Sequence, residues 1–284
     1  MQEIDLNSWE EFEERIKGLE NERRNQEPSS EFLYRGQGRK SWELLTTLER
    51  HGKKNLSFRD YFRLISIAKP QIESFTGSNW NIPSWPDGFD KLLKENKGSI
   101  LLGNILNRSD DLISYMVDLR HHGFPSPLLD WSSSHYVAAY LAFNDVLQRE
   151  EAVSIFVYCE SITEYGEKWI GGDKPWIYRP EPYAKIAKRH YNQYSHYTVC
   201  VILDQKPDGE WKYAPHSKVF ARNDPNQDVL WKFNIPFSER LNVLKQLDKN
   251  NINALSLFGS KESLMETMAL REIYFRDREP QPPL

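Results

Sequence analysis

Apolar residues along the chain alternate between helical and extended spacing. Trp9, Phe12, Ile16 and Leu19 recur every three or four positions, and Ser8 followed by Glu11 is a capping box, so an amphipathic helix is predicted to open the chain. The charged stretch 20–30 ends it. Phe32-Leu33-Tyr34 is a short apolar run between Pro28-Ser29-Ser30 and Gly36, which predicts a buried strand delivering Arg35 at its end. Residues 41–70 read as helical or mixed, and 76–88, with Gly77, Pro83 and Pro86, have turn chemistry and no period. Over 101–119, Leu102, Ile105, Leu106, Leu112, Ile113, Met116 and Leu119 share one face of a predicted helix, with a break at 107–110.

Val137, Ala138, Leu141 and Ala142 mark a buried helix whose small residues Ala138, Ala139 and Ala142 let a neighbouring element approach closely. The second half reads as sheet: strands at 152–158 and 197–203, a loop between them through Gly171-Gly172 and Trp176, a turn at Lys206-Pro207-Asp208-Gly209, and Trp211 to Tyr213 returning as the second arm of a hairpin. Phe233 to Pro236 resembles a short strand. Ser238 is placed to cap a helix carrying Leu241, Leu244 and Leu247 inward and ending at Asn250-Asn251, and a last helix is predicted over 260–271. With no repeats and no linker, the simplest organisation is one α+β domain over 1–284. It has a mixed or antiparallel sheet core with flanking helices and a helical insertion: an N-terminal helix in 1–28, a core over 30–270 and a frayed tail at 279–284.

Composition narrows the class. The 284 residues are 39% hydrophobic with nine tryptophans, far too many bulky groups for a disordered chain. Thirty-seven Lys and Arg against 41 Asp and Glu give a net charge of -4, so only a local basic site would hold a nucleic acid. Cys159 and Cys200 are expected to be buried, inert thiols in a reducing compartment. The acidic start lacks a signal-peptide pattern and no run of about 18 apolar residues occurs, so the reading is cytoplasmic, without a membrane span.

Three segments carry candidate chemistry. In Tyr34-Arg35-Gly36-Gln37-Gly38-Arg39, two glycines let backbone come near a ligand and two arginines supply forked donors for phosphate or carboxylate; the structural alternative is a buried ion pair and a turn. In His121-His122-Gly123-Phe124-Pro125, read as extended, adjacent histidines point to opposite faces, so at most one accompanies Asp130 in a site. That spacing opposes a two-histidine metal site, and no metal is expected. Asp130, Trp131 and Ser132, Ser133 and Ser134 lead into the buried helix, either as caps, with Ser132 or Ser133 favoured, or as partners of a polar or anionic ligand. In 186–197, Lys188, Arg189, His190, Tyr191, Tyr194, His196 and Tyr197 interleave basic and aromatic groups, a pattern that fits base stacking with phosphate contacts and equally an ordinary strand edge.

Tyr34-Arg35-Gly36-Gln37 with Trp42, then His122-Gly123-Phe124-Pro125 leading to Leu128-Leu129-Asp130-Trp131-Ser132 and a helix ending Ala142-Phe143, resemble the FRG domain family, named for a Phe-Arg-Gly signature whose Phe is here Tyr34. The family's middle block usually reads Gln-His-Tyr-Gly-Leu-Pro-Thr-Arg-Leu-Leu-Asp-Trp-Thr; here one residue is missing around His121 and His122, and Ser126-Pro127 replaces Thr-Arg. Arg189 and Gln193 are similar to a later Arg and Gln, and Leu241, Leu244 and Leu247 with Leu257-Phe258 to a closing helix and turn, so the resemblance spans 30–270. It implies a bacterial or phage protein associated with defence or toxin functions.

The order of these features is also similar to ADP-ribosyltransferases. That looser resemblance implies Arg35 as the anchor of NAD phosphates, Ser132, Ser133 and Ser134 at the nicotinamide pocket, and Gln193 or Asp130 orienting the ribose, with Tyr34, Gly36, Gln37, His122, Trp131 and Arg189 around the ligand. Gln193 departs from the acid expected there, so either Asp130 or a later acid such as Glu262 or Glu266 compensates, or the fold has lost that chemistry. The implied function is an NAD-consuming effector modifying a protein or nucleic-acid acceptor. The alternative is a module that binds a nucleotide or nucleic-acid end without turnover, and a nuclease is third.

Overall fold

Among the described residues, eight strands make one mixed sheet: β1 (Gln2–Asp5), β2 (Phe32–Gln37), β3 (Leu128–Ser132), β4 (Ala152–Cys159), β5 (Trp176–Tyr178), β6 (Ser195–Leu203), β7 (Trp211–Tyr213) and β8 (Val229–Pro236). A computed structural model describes residues 1–24, 30–95, 111–144, 150–162, 174–180, 188–204, 209–221 and 227–276. The sheet order is β1-β8-β4-β2-β3-β6-β5, with β7 paired to the end of β6; β1 runs parallel to β8 and the other pairs are antiparallel. The expected α+β class with a mixed sheet and a helical insertion between β2 and β3 is the observed one.

Strand alternation sorts the side chains onto two faces. Tyr34, Val153, Ile155, Val157, Phe233 and Ile235 pack against Trp9, Phe12 and Ile16 of the helix Trp9–Arg24 and against the buried helix His135–Phe143. Ser132 pairs with both Tyr34 and Ser195, so Tyr197, Val199 and Val201 continue that face across β6. There they meet Leu128, Trp176 and the insertion helices Phe58–Thr76, Asp87–Glu95 and Leu112–His121. Leu33, Leu129, Trp131, Phe156 and Tyr158 occupy the opposite face.

Two helical layers thus share one face and meet over the junction of β2 and β3. The sheet itself opens at that junction. β2 pairs with β4 from Phe32 to Gln37 and β3 with β6 from Leu128 to Ser132, but β2 and β3 are in register only at Tyr34 and Ser132. Past that pair the strands diverge, and a polar seam runs between the two apolar layers.

Several local expectations change. The Ser8 hydroxyl accepts from the Glu11 N–H at 3.2 Å, but the Glu11 carboxylate reaches the Asn7 N–H at 2.9 Å, so the box is offset by one residue. Ser134, not Ser132 or Ser133, caps the buried helix through the Val137 N–H, and Ser238 makes no cap, because a 3₁₀ turn Phe237–Glu239 leads directly into Arg240–Lys249. β1 and β5 are additional short strands, Ala254–Phe258 is a helix where a turn was expected, and Lys261–Ala269, capped by Ser260, continues as the π-helix Leu270–Phe275. Cys159 and Cys200 are buried and unbridged. The expected helix over 101–110, the Gly171-Gly172 loop, the turn at 206–208 and the tail at 279–284 lie outside the described residues.

Candidate functional site

The seam encloses a cleft of about 250 Å³. β2 contributes Tyr34, Arg35 and Gly36; β3 contributes Asp130, Trp131 and Ser132; Gln193 and Ser195 close the far end. The two helical layers form its walls, with Val137 and Leu141 on one side and Arg120 and His121 on the other.

Arg35 spans the gap between the diverging strands. Its Nη1 donates to the Asp130 backbone carbonyl at 2.7 Å and to Asp130 Oδ1 at 2.5 Å, so one guanidinium replaces the missing ladder bonds between β2 and β3. Arg120 Nη2, from the last turn of Leu112–His121, donates to the same Oδ1 at 2.7 Å. Two cations therefore converge on one carboxylate oxygen. Burial pushes the Asp130 carboxyl up, but Arg35 and Arg120 outweigh it and hold the group well below the usual carboxylate range. Their field reaches Arg50, whose pKa is lowered by its own burial and then by Arg35 and Arg120. Arg50 and Arg39 also sit over Trp42, 5.8 and 5.3 Å from the ring centroid. The Nε atoms of Arg35 and Arg120 are buried and have no hydrogen-bond partner among the described residues.

The other walls are held by protein contacts. Ser132 Oγ donates to the Gln193 carbonyl at 2.7 Å and accepts from the Ser134 N–H at 3.0 Å, which ties the end of β3 to the start of the buried helix. Gln193 Nε2 donates to the Leu257 carbonyl at 3.4 Å. The Trp131 indole turns into the core and donates to Thr198 Oγ1 at 2.8 Å. Tyr34 is buried, its hydroxyl donating to Glu20 at 3.4 Å, and burial then the Glu20 charge push its pKa well up. Gly36 meets protein rather than ligand: a Cβ there would collide with the Ala138 carbonyl oxygen and lie 2.8 Å from the Ala142 nitrogen.

Among the candidate residues, Tyr34, Arg35, Gly36, Asp130, Trp131, Ser132 and Gln193 share this cleft. Gln37 does not line it; its buried amide donates to the Glu43 carbonyl at 3.4 Å. His122 is 73% exposed and lies 3.6 Å from Asp118, because the two histidines end a helix rather than lie in an extended segment, and it is His121 that faces the cleft. Ser133 lines a neighbouring pocket, and the Arg189 side chain lies outside the described residues. Glu266 accepts from Asn144 and Tyr140, Glu262 sits in the first turn of its own helix, and neither lines the cleft. Sequence reasoning missed Arg120 and the bonds that His121 makes to the Tyr197 hydroxyl, 2.8 Å away and shared with His190 at 3.3 Å. Among the described residues no group of three or more His, Cys, Asp or Glu could hold a metal ion, and no helix is long and apolar enough to cross a membrane.

Compared with known families, residues 30–151 match the model of the FRG domain. No curated protein and no solved structure matches the chain. The matched stretch supplies β2, the insertion helices, β3 and the buried helix, so Arg35, Arg120 and Asp130 all fall within it, whereas β4, β6 and β8 lie beyond. Residues 30–151 of the chain are thus similar to the FRG domain, the stretch that holds the arginine–carboxylate cluster of the cleft.

Proposed function

We propose that the cleft binds the phosphate groups of a nucleotide. One observation carries this reading: the guanidiniums of Arg35 and Arg120, both lining a narrow cleft, converge on a single carboxylate oxygen of Asp130. Forked donors fixed in advance lose little entropy when an anion arrives, and one negative charge does not neutralise two positive ones. The site reads as a binding or sensing site, because Asp130 is occupied by both arginines and Gln193 contributes an amide rather than an acid.

Calorimetric titration of the full chain with ADP and with pyrophosphate tests this. Binding of both is expected, and Arg35→Ala or Arg120→Ala should weaken each by about tenfold or more, the scale of a lost hydrogen bond from a charged donor. Absence of binding to wild-type protein, or undiminished binding by both variants, overturns the reading.

A second reading is favoured by the presence of Arg35, Asp130, Ser132 and Gln193 in one cleft, in the order implied by the likeness to ADP-ribosyltransferases. In that chemistry the bond from ribose C1′ to the nicotinamide nitrogen breaks, and its electron pair leaves with nicotinamide. The acceptor's nucleophile then bonds C1′ and gives up its proton. Arg35 would hold the NAD phosphates and Gln193 a ribose hydroxyl. Nicotinamide release from NAD, lost in Arg35→Ala, would favour turnover over simple binding; NAD recovered intact after prolonged incubation with protein and nucleic-acid acceptors would exclude it.

A further inference from the structure

The chain passes directly from the cleft into a second pocket of about 510 Å³. Val137 lines both, and Ser133 and Tyr194 of the second pocket follow Ser132 and Gln193 of the first along the chain. The chemistry of the two differs. Among the described residues no charged side chain lines the second pocket; its polar groups are amides and hydroxyls, those of Asn250, Asn251, Tyr191 and Tyr194 among them.

Two features set this pocket apart. Tyr191 and Tyr194 are 81% and 60% exposed, although an aromatic ring gains much by burial, and both stand beside the opening. Among the described residues, the non-glycine residues with positive φ are Tyr194 at 48° and Asn251 at 59°, and both line this pocket. Asparagine after a helix end is common in the left-handed region, whereas a bulky aromatic residue is disfavoured there. Tyr194 is held in it by its N–H bond to the Tyr191 carbonyl at 3.1 Å and by the Ser133 N–H bonding to its carbonyl at 3.0 Å. The same Ser133 bond fixes Tyr194 beside the end of β3. Exposed rings and neutral hydrogen-bonding groups suit a flat, uncharged, polar ligand group.

We infer that this pocket receives the nucleobase of the nucleotide whose phosphates occupy the arginine cleft. The inference rests on the phosphate-binding reading and adds to it a base subsite built by Tyr191, Tyr194 and Asn251. The ligand class is then a nucleotide bound across both pockets, rather than a bare phosphate or a sugar phosphate.

Calorimetry of the full chain with two probes, ADP and pyrophosphate, separates the two claims. Wild-type protein should bind ADP more tightly than pyrophosphate. Tyr194→Gly, which fits the positive φ and so keeps the fold, should weaken ADP by about tenfold while leaving pyrophosphate within about twofold. Tyr194→Phe should retain ADP binding. Equal loss of both probes in Tyr194→Gly, no loss of ADP, or no preference for ADP in wild-type protein overturns the base subsite while leaving the phosphate reading standing. Failure of wild-type protein to bind pyrophosphate, whether or not ADP binds, overturns the phosphate reading and with it the base subsite that rests on it.

Discussion

Replacing Gly36 with alanine is expected to destabilise the protein by about 3 kcal/mol or more, measured as a fall in the urea midpoint of unfolding, the high end of what overpacking costs. The added methyl would overlap the Ala138 carbonyl oxygen and press on the Ala142 nitrogen, and both are backbone atoms. A side chain could rotate away; this backbone is fixed, because Val137, Ala138, Ala142 and Phe143 bury the helix in the larger apolar layer. Relief would require the helix to lift from β2, and Val137 and Leu141 would then leave the wall of the cleft. Any folded fraction should therefore also bind phosphate more weakly. Gly18→Ala is the control. Gly18 lies inside Trp9–Arg24 with open space around it, so the same substitution should stabilise by about 0.5–1 kcal/mol. An unchanged midpoint for Gly36→Ala would show that the helix does not rest on β2 as described.

This contact shows what the sequence reveals and what it hides. The alanines at 138, 139 and 142 signal that some element comes close, and Gly36 signals that some backbone does, but the sequence does not say that the two signals describe one contact. Read alone, Gly36 suggests room for a ligand. Long periodic helices were legible because their burial is written in local spacing, as in Trp9, Phe12 and Ile16. β1 was not: most of its residues are exposed and it exists through parallel pairing with β8, more than 200 residues away. In the site, Arg35 and Asp130 stood out because an arginine after an apolar strand and an acid before a serine run are uncommon. Arg120 did not, since a basic residue in a helix's last turn is common for reasons of the helix dipole alone. The identity of the cleft histidine depended on whether 121–122 is helical or extended, which tertiary packing of the insertion decides.

Replacing Asp130 with asparagine should move stability and anion affinity in opposite directions. The amide keeps an acceptor oxygen where Oδ1 receives Arg35 and Arg120, but removes the charge that both guanidiniums face. Stability at pH 7 should fall by roughly 1–2 kcal/mol, below the cost of breaking a fully buried ion pair because the carboxylate is only half-buried and partly screened. The dependence on pH has a fixed sign. The folded-state pKa of Asp130 is lowered, so its contribution is complete above the unfolded value of about 3.9 and is lost as pH falls through the folded one. The difference between wild type and variant, followed by urea unfolding, should therefore be constant from about pH 5 to 8 and should narrow below about pH 4. Pyrophosphate, by contrast, should bind the variant roughly threefold to tenfold more tightly at pH 7, because one competing negative charge has gone while the donors remain. Weaker binding by the variant would instead make Asp130 a positioning residue whose charge keeps the two arginines aimed. A stability difference that persists unchanged to pH 3 would mean that the pair contributes through shape and hydrogen bonding rather than through charge.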